Sequence, residues 1–158
     1  MDEFNRDWLT EREVDAFVGK NADYYKEKWK SNPKSDYYKG WNIIALFFFF
    51  EWAAYRKMYR EAIGAFLSIV IFTIFFTILP VNSDLIVKLF GQLVKILFCA
   101  FANGFYRKKA LRTLQKTFSM DEYSKMDYLT KQGGTSVISL IIFLLLEISL
   151  YLLTLTFA

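Results

Sequence analysis

Between Ala62 and Pro80 the chain runs for 19 residues without a charged side chain, "AIGAFLSIVIFTIFFTILP". A helix of that length covers the roughly 30 Å hydrocarbon core of a bilayer at about 1.5 Å of rise per residue. Water offers no stable place for such a surface, so this stretch is expected to cross a membrane. Val137 to Phe157 ("VISLIIFLLLEISLYLLTLTF") is a second such run, broken only by Glu147. Leu85 to Tyr106 ("LIVKLFGQLVKILFCAFANGFY") is also long enough, but carries Lys88, Gln92 and Lys95. The expected fold is therefore all-α: a polytopic membrane protein with three transmembrane helices, over 62–80, 85–106 and 137–157.

Trp41 to Ala54 is harder to place. Its 14 residues include Asn42 and Glu51, and as a helix they reach only about 21 Å. The stretch is too short to span comfortably and too apolar to stay in water. Charge decides between the alternatives. Lys20 to Lys39, then Arg56, Lys57 and Arg60, then Arg107 to Lys131 are basic, whereas Pro80 to Asp84 holds no lysine or arginine. Cytoplasmic loops collect lysine and arginine, so the first three segments are expected inside and the connector outside. A fourth crossing at Trp41–Ala54 would put one basic segment on the wrong side. Residues 41–55 are thus expected as an interfacial or re-entrant aromatic helix. Trp41, Trp52 and Tyr55 would lie at headgroup depth, held inside by Arg56, Lys57 and Arg60. The N-terminus is expected in the cytoplasm and the C-terminus outside.

Residues 1–40 read as a cytoplasmic amphipathic helical region, with 41–158 the membrane domain. The first 40 residues carry nine acidic and eight basic residues and no apolar core of the kind a signal peptide needs. Thr10 and Glu13 have capping-box spacing, with Leu9 and Val14 placed as a hydrophobic staple. Val14, Phe17, Val18, Tyr25 and Trp29 recur at roughly helical spacing. Gly19 is expected to interrupt this helix, Asn21 to cap a second one, and Asn32, Pro33 and Ser35 to end it. After the third apolar run the chain is expected to return to water over Arg107–Lys131, where seven basic and three acidic residues leave a balance of 7 − 3 = +4. A short helix and a Gly133-Gly134 loop are expected there.

Several segments, taken together, resemble a known family. "FVGKNADYYKEKW", "WNIIALFFFF", "YRKMYREAIG", "ANGFYRKK" and "GGTS" occur here in that order. They are similar to segments of small bacterial inner-membrane proteins catalogued as a domain of unknown function, DUF2628. The likeness covers roughly residues 17–136, and "YRKMY" is its most specific element. Where the family pattern has Gly-Pro after its phenylalanines this chain has Phe50-Glu51, which favours a continuous helix lying flat over a tight proline turn. Some relatives carry an N-terminal zinc ribbon; one cysteine and no histidine exclude it here. The resemblance implies a bacterial membrane location and supplies no activity.

Chemistry is sparse. Without histidine, the commonest metal ligand and acid/base group is missing, and a single cysteine, Cys99, permits no intrachain disulfide. No metal, no cofactor, no nucleic acid and no catalytic set are expected. The strongest constellation is intramembrane. Lys88, Gln92 and Lys95 stand at i, i+4 and i+7, on one helix face with Cys99 and Asn103. Lys95 is ten residues from Leu85, and Glu147 ten residues from Val137. Both therefore lie about 15 Å into the bilayer, where an unpaired charge costs about 2.5–3.5 kcal/mol on insertion scales. Three arrangements are open: a Lys95–Glu147 ion pair, contacts to a partner protein, or snorkelling of Lys95. Arg107, Lys108 and Lys109, like Arg56, Lys57 and Arg60, are expected at anionic headgroups. The expected function is a non-catalytic accessory or regulatory protein that binds a larger membrane protein, an immunity or defence role included. The alternative is a homo-oligomeric channel or transporter built on a Lys95/Glu147 layer with Tyr151 and Thr154.

Overall fold

The computed structural model describes residues 9–30, 41–78 and 84–156. Among them every regular element is an α-helix: α1 (Glu11–Val18), α2 (Ala22–Lys30), α3 (Ile43–Phe47), α4 (Phe49–Tyr55), α5 (Tyr59–Ile78), α6 (Asp84–Gln115), α7 (Glu122–Gln132) and α8 (Val137–Thr156). The expected end of α2, at Asn32, Pro33 and Ser35, lies outside the described residues. Two compact units form, one from 1–42 with 100–135 and the other from 43–99 with 136–158. The second half of α6 and all of α7 join the N-terminal unit.

The first unit begins with the capping box anticipated from Thr10 and Glu13. The Thr10 hydroxyl accepts from the Glu13 backbone N–H at 3.3 Å, and the Glu13 carboxylate accepts from the Thr10 N–H at 2.8 Å. Gly19 ends α1 at φ +62°, a conformation that carries no Cβ penalty in glycine. Asn21 does not take the extended conformation of an N-cap. It turns left-handed at φ +72°, while the Ala22 N–H bonds the Gly19 carbonyl at 3.1 Å. The core of the unit is aromatic. Tyr106 is fully buried and its ring centroid lies 5.4 Å from Phe17, 5.0 Å from Tyr25 and 5.9 Å from Trp29. Such pairs add about 0.5–1.5 kcal/mol each beyond their area.

α6 continues nine residues past the expected limit at Tyr106, to Gln115. The reason is packing: Ala110, Leu111 and Leu114 keep the buried face of Tyr106 going, so the charged residues around them ride on a helix rather than a loop. α7 is started by Asp121, whose carboxylate accepts from the Tyr123 and Ser124 N–H groups, both at 3.1 Å. A hydrogen bond from the Ser124 side chain, together with those from the Ser124 and Tyr123 backbone, holds the Asp121 carboxyl below its ordinary range. α7 packs on α1. There Lys125 Nζ meets the buried Glu13 carboxylate at 2.7 Å, and the Gly134 N–H donates to the Phe17 carbonyl at 2.6 Å.

In the second unit the aromatic block is not one continuous helix. α3 and α4 meet at Phe48, whose φ −122° and ψ 57° are non-helical. The break aims neighbouring rings at different targets. Phe49 packs edge-on to Phe98 at 4.5 Å and Phe50 to Phe66 at 5.8 Å, while Phe47 and Phe48 stay exposed.

α4 then stops in a hydrogen-bonded reversal of the Schellman type. The Met58 N–H bonds the Ala53 carbonyl at 2.8 Å and the Lys57 N–H the Ala54 carbonyl at 3.0 Å. That geometry needs a left-handed residue between them, and Lys57 supplies it at φ +56°. Lysine in this region is strained where glycine is not. Lys57→Gly is therefore expected to melt no lower than the parent protein. Lys57→Val, with a β-branched side chain, should lose about 1–2 kcal/mol. Thermal unfolding in detergent followed by circular dichroism measures both.

Among the described residues three helices are long and apolar enough to cross a membrane. α5 and α6 are two of them; the third stretch runs over Glu122–Leu150, and its apolar part is α8. Their outward residues are large and greasy, Ile71 at 65% exposure and Ile138 at 73% among them. An exposed aliphatic surface of that extent fits membrane association.

Candidate functional site: a charge cluster and a motif-built helical head

Glu51 lies on α4, Lys95 on α6 and Glu147 on α8, all in the second unit. α4 packs along α8, and this brings Glu51 to Glu147 within side-chain hydrogen-bonding reach. Lys95 acts on Glu147 as a charge rather than through a hydrogen bond. Glu51 was not among the residues that spacing along the sequence grouped with Glu147. Lys95 and Glu147 are half-buried, whereas Lys88 and Gln92 point away from the unit and are exposed. Cys99 and Asn103 are fully buried. The single polar face expected from i, i+4 and i+7 spacing is therefore divided between an open side and a packed side. The side chains of Tyr151 and Thr154 lie outside the described residues.

The residues expected at headgroups also separate. Trp41 is 63% exposed and Arg60 is exposed, with Tyr55, Lys57, Lys108 and Lys109 half-buried. Lys109 sits over the Phe17 ring, 5.6 Å from its centroid. Trp52, Arg56 and Arg107 are instead buried. Trp52 packs edge-on to Phe98 at 6.2 Å, Arg56 is the C-cap of α4, and Arg107 follows Tyr106 into the packed part of α6.

Helical spacing places Asn103 on the polar face of α6 but does not give its partners. Asn103, on α6, is fully buried. Its carbonyl accepts from Trp29 Nε1 at 3.2 Å, its side-chain oxygen accepts from Asn42 Nδ2 at 3.0 Å, and its own Nδ2 donates to the Tyr24 hydroxyl at 3.3 Å. These partners come from "GKNADYYKEKW", "WN" and "ANGFY", three segments that carry the family resemblance. Their convergence was the available signal. A fourth motif works the same way in the second unit. The Tyr55 carbonyl of "YRKMY" accepts from the Ser136 N–H of "GGTS" at 2.8 Å, and the Tyr59 hydroxyl shares a hydrogen bond with Ser139 at 2.7 Å. Ser136 in turn caps α8, accepting from the Ser139 N–H at 3.2 Å.

What the motif residues do is join one part of the chain to another. The partners of Asn103 all come from the first unit, and those of Tyr55 and Tyr59 from the second. No curated protein and no solved structure matches the chain. A family model described as "Protein of unknown function (DUF2628)" matches residues 13–112, which is 100 of the 158 residues. The match takes in the Asn103 partners and "YRKMY", and stops short of Gly133–Ser136. A match over that share of the chain shows its family: the chain belongs to the DUF2628 family of proteins of unknown function.

Proposed function

We propose that this protein is a non-catalytic accessory or regulatory subunit of the bacterial cytoplasmic membrane that binds a larger membrane protein. The observation that carries the reading is the use made of the motif residues. Tyr24, Trp29, Asn42, Asn103 and Tyr106 are consumed in holding a helical head together. Three apolar helices meanwhile keep their outer faces open to the membrane. A chain built this way offers surfaces rather than a reaction centre. Affinity purification of the tagged chain from native membranes, followed by mass spectrometry, tests it. A fixed membrane partner in constant ratio is the expected result; recovery of the chain alone from gently solubilised membranes contradicts it.

The orientation we propose has three crossings, with the N-terminus in the cytoplasm and the C-terminus outside. Packing of α1 on α7 supports it. Two helices in contact outside the bilayer lie on one side of it, so the chain between them crosses an even number of times. α5 and α6 supply two crossings, which leaves none for residues 41–55. The aromatic segment then enters and leaves on the cytoplasmic side, and the lysines and arginines of 20–39, 56–60 and 107–131 are all retained inside.

A second reading, a homo-oligomeric channel or transporter, draws on the convergence of Glu51, Lys95 and Glu147. Intramembrane charges commonly mark ion or proton routes. Purified protein in liposomes under a proton or potassium gradient decides: flux abolished by Glu147→Leu favours the channel, and tight vesicles favour the subunit.

A further inference from the structure

We infer that a second copy of this chain packs against α6 along Leu85, Leu89, Gln92 and Ile96, the two Gln92 amides hydrogen-bonded across the interface. These positions step by four, three and four residues, the spacing of a coiled-coil seam. All four are exposed: Leu85 by 66%, Leu89 by 60% and Ile96 by 46%, with Gln92 open between them. The middle position is the informative one. Gln92 lies eight residues past Asp84, about 12 Å along the helix, too deep for its amide to reach the headgroups. No hydrogen bond to it forms among the described residues. An amide in hydrocarbon is costly to leave unsatisfied.

The amide also selects the occupant. It carries a donor and an acceptor side by side, so it is complementary to its own image. Copies inserted with one orientation are related by a two-fold axis along the membrane normal, and this brings like residues together. Two Gln92 side chains on that axis satisfy one another, and the flanking Leu89 and Ile96 layers interlock at the shallow crossing angle that such spacing imposes. Lys88, one turn nearer the helix start, is long enough to carry its ammonium towards the headgroups while its stem lies along the seam. The inference is independent of the accessory-subunit reading and needs only that α6 crosses the membrane.

Oxidative cross-linking in native membranes tests it. Single cysteines replace Leu89 or Ile96 on the seam, or Leu93 or Leu97 beside it, in a Cys99→Ala background. Disulfide-linked homodimer is expected from Leu89→Cys and Ile96→Cys, and several-fold less from Leu93→Cys and Leu97→Cys. Adding Gln92→Leu to either seam variant should lower the dimer roughly three- to twentyfold, the range that interhelical hydrogen bonds span in membranes; Gln92→Asn should retain most of it. Cross-links spread evenly around the helix, a product of heterodimer mass, no dimer at either seam position, or indifference to Gln92→Leu would each overturn the inference.

Discussion

Gly133→Ala is expected to destabilise the helical head by about 3 kcal/mol, the upper end of what overpacking costs. A Cβ at this position would collide with the Phe17 carbonyl oxygen, and would come within 2.7 Å of its carbonyl carbon and 2.9 Å of its ring Cδ2. Backbone cannot swing aside as a flexible side chain does, so α7 and α1 must move apart. Separation strains the Gly134–Phe17 hydrogen bond and the Lys125–Glu13 ion pair, which join the same two helices. Removing a buried carboxylate's counter-charge is itself expensive. Gly64 makes the comparison sharp. A Cβ there meets nothing within 4 Å, and Gly64→Ala should cause no loss, since alanine is the better helix former. Hydrogen exchange of the α1 and α7 amides in the two variants reads the difference directly.

Tyr106→Ala is expected to cost about 3–5 kcal/mol, as deletion of a large buried aromatic does. Its ring is the shared neighbour of Phe17, Tyr25 and Trp29, so one deletion empties the centre of the unit. Tyr123, 84% exposed on α7, is the control: Tyr123→Ala should stay within about 0.5 kcal/mol of the parent. The two sites are well apart in what they touch, so thermal melts of the single variants separate a core effect from a general loss of tyrosine. If Tyr106→Ala melts with the parent, the aromatic cluster is not what holds the head together.

These two positions also mark where the sequence stops being legible. Local features were readable because their causes are local. Thr10 and Glu13 are three residues apart and close a capping box. Apolar runs of membrane length, one charge-free and one broken only by Glu147, announce α5 and α8 without reference to the rest of the chain. Gly133 and Phe17 are 116 residues apart, counted from 17 to 133, and nothing near either one signals a backbone approach. Asn103 could be assigned to a helix face by counting, but which side of that face would pack was decided by Trp29, Asn42 and Tyr24, which lie 61 to 79 residues away. Spacing places side chains on a face; only partners decide whether the face is open.

The aromatic block shows a different limit. Replacement of a Gly-Pro pair by Phe50-Glu51 favours a continuous helix by local propensity, yet the chain still kinks, at Phe48, because neighbouring rings have separate docking sites on Phe98 and Phe66. Lys57 is a further case. A left-handed residue is usually announced by glycine or asparagine, and here the hydrogen bonds to Ala53 and Ala54 impose that conformation on lysine. Both are instances of tertiary contacts overriding what residue identity alone prefers.

Three crossings fix the side of the membrane that each segment occupies. Single cysteines at Asn21, in the turn between α1 and α2, at Ser119, between α6 and α7, and at Ser83, between the first two spans, are placed in the Cys99→Ala background. Each is exposed to a membrane-impermeant maleimide on intact cells and again after permeabilisation. The account predicts that Ser83→Cys labels from outside, while Asn21→Cys and Ser119→Cys label together and only once the membrane is opened. Labelling of Asn21→Cys on intact cells with Ser119→Cys still protected would put α1 and α7 on opposite sides, make residues 41–55 a crossing, and contradict the three-span account.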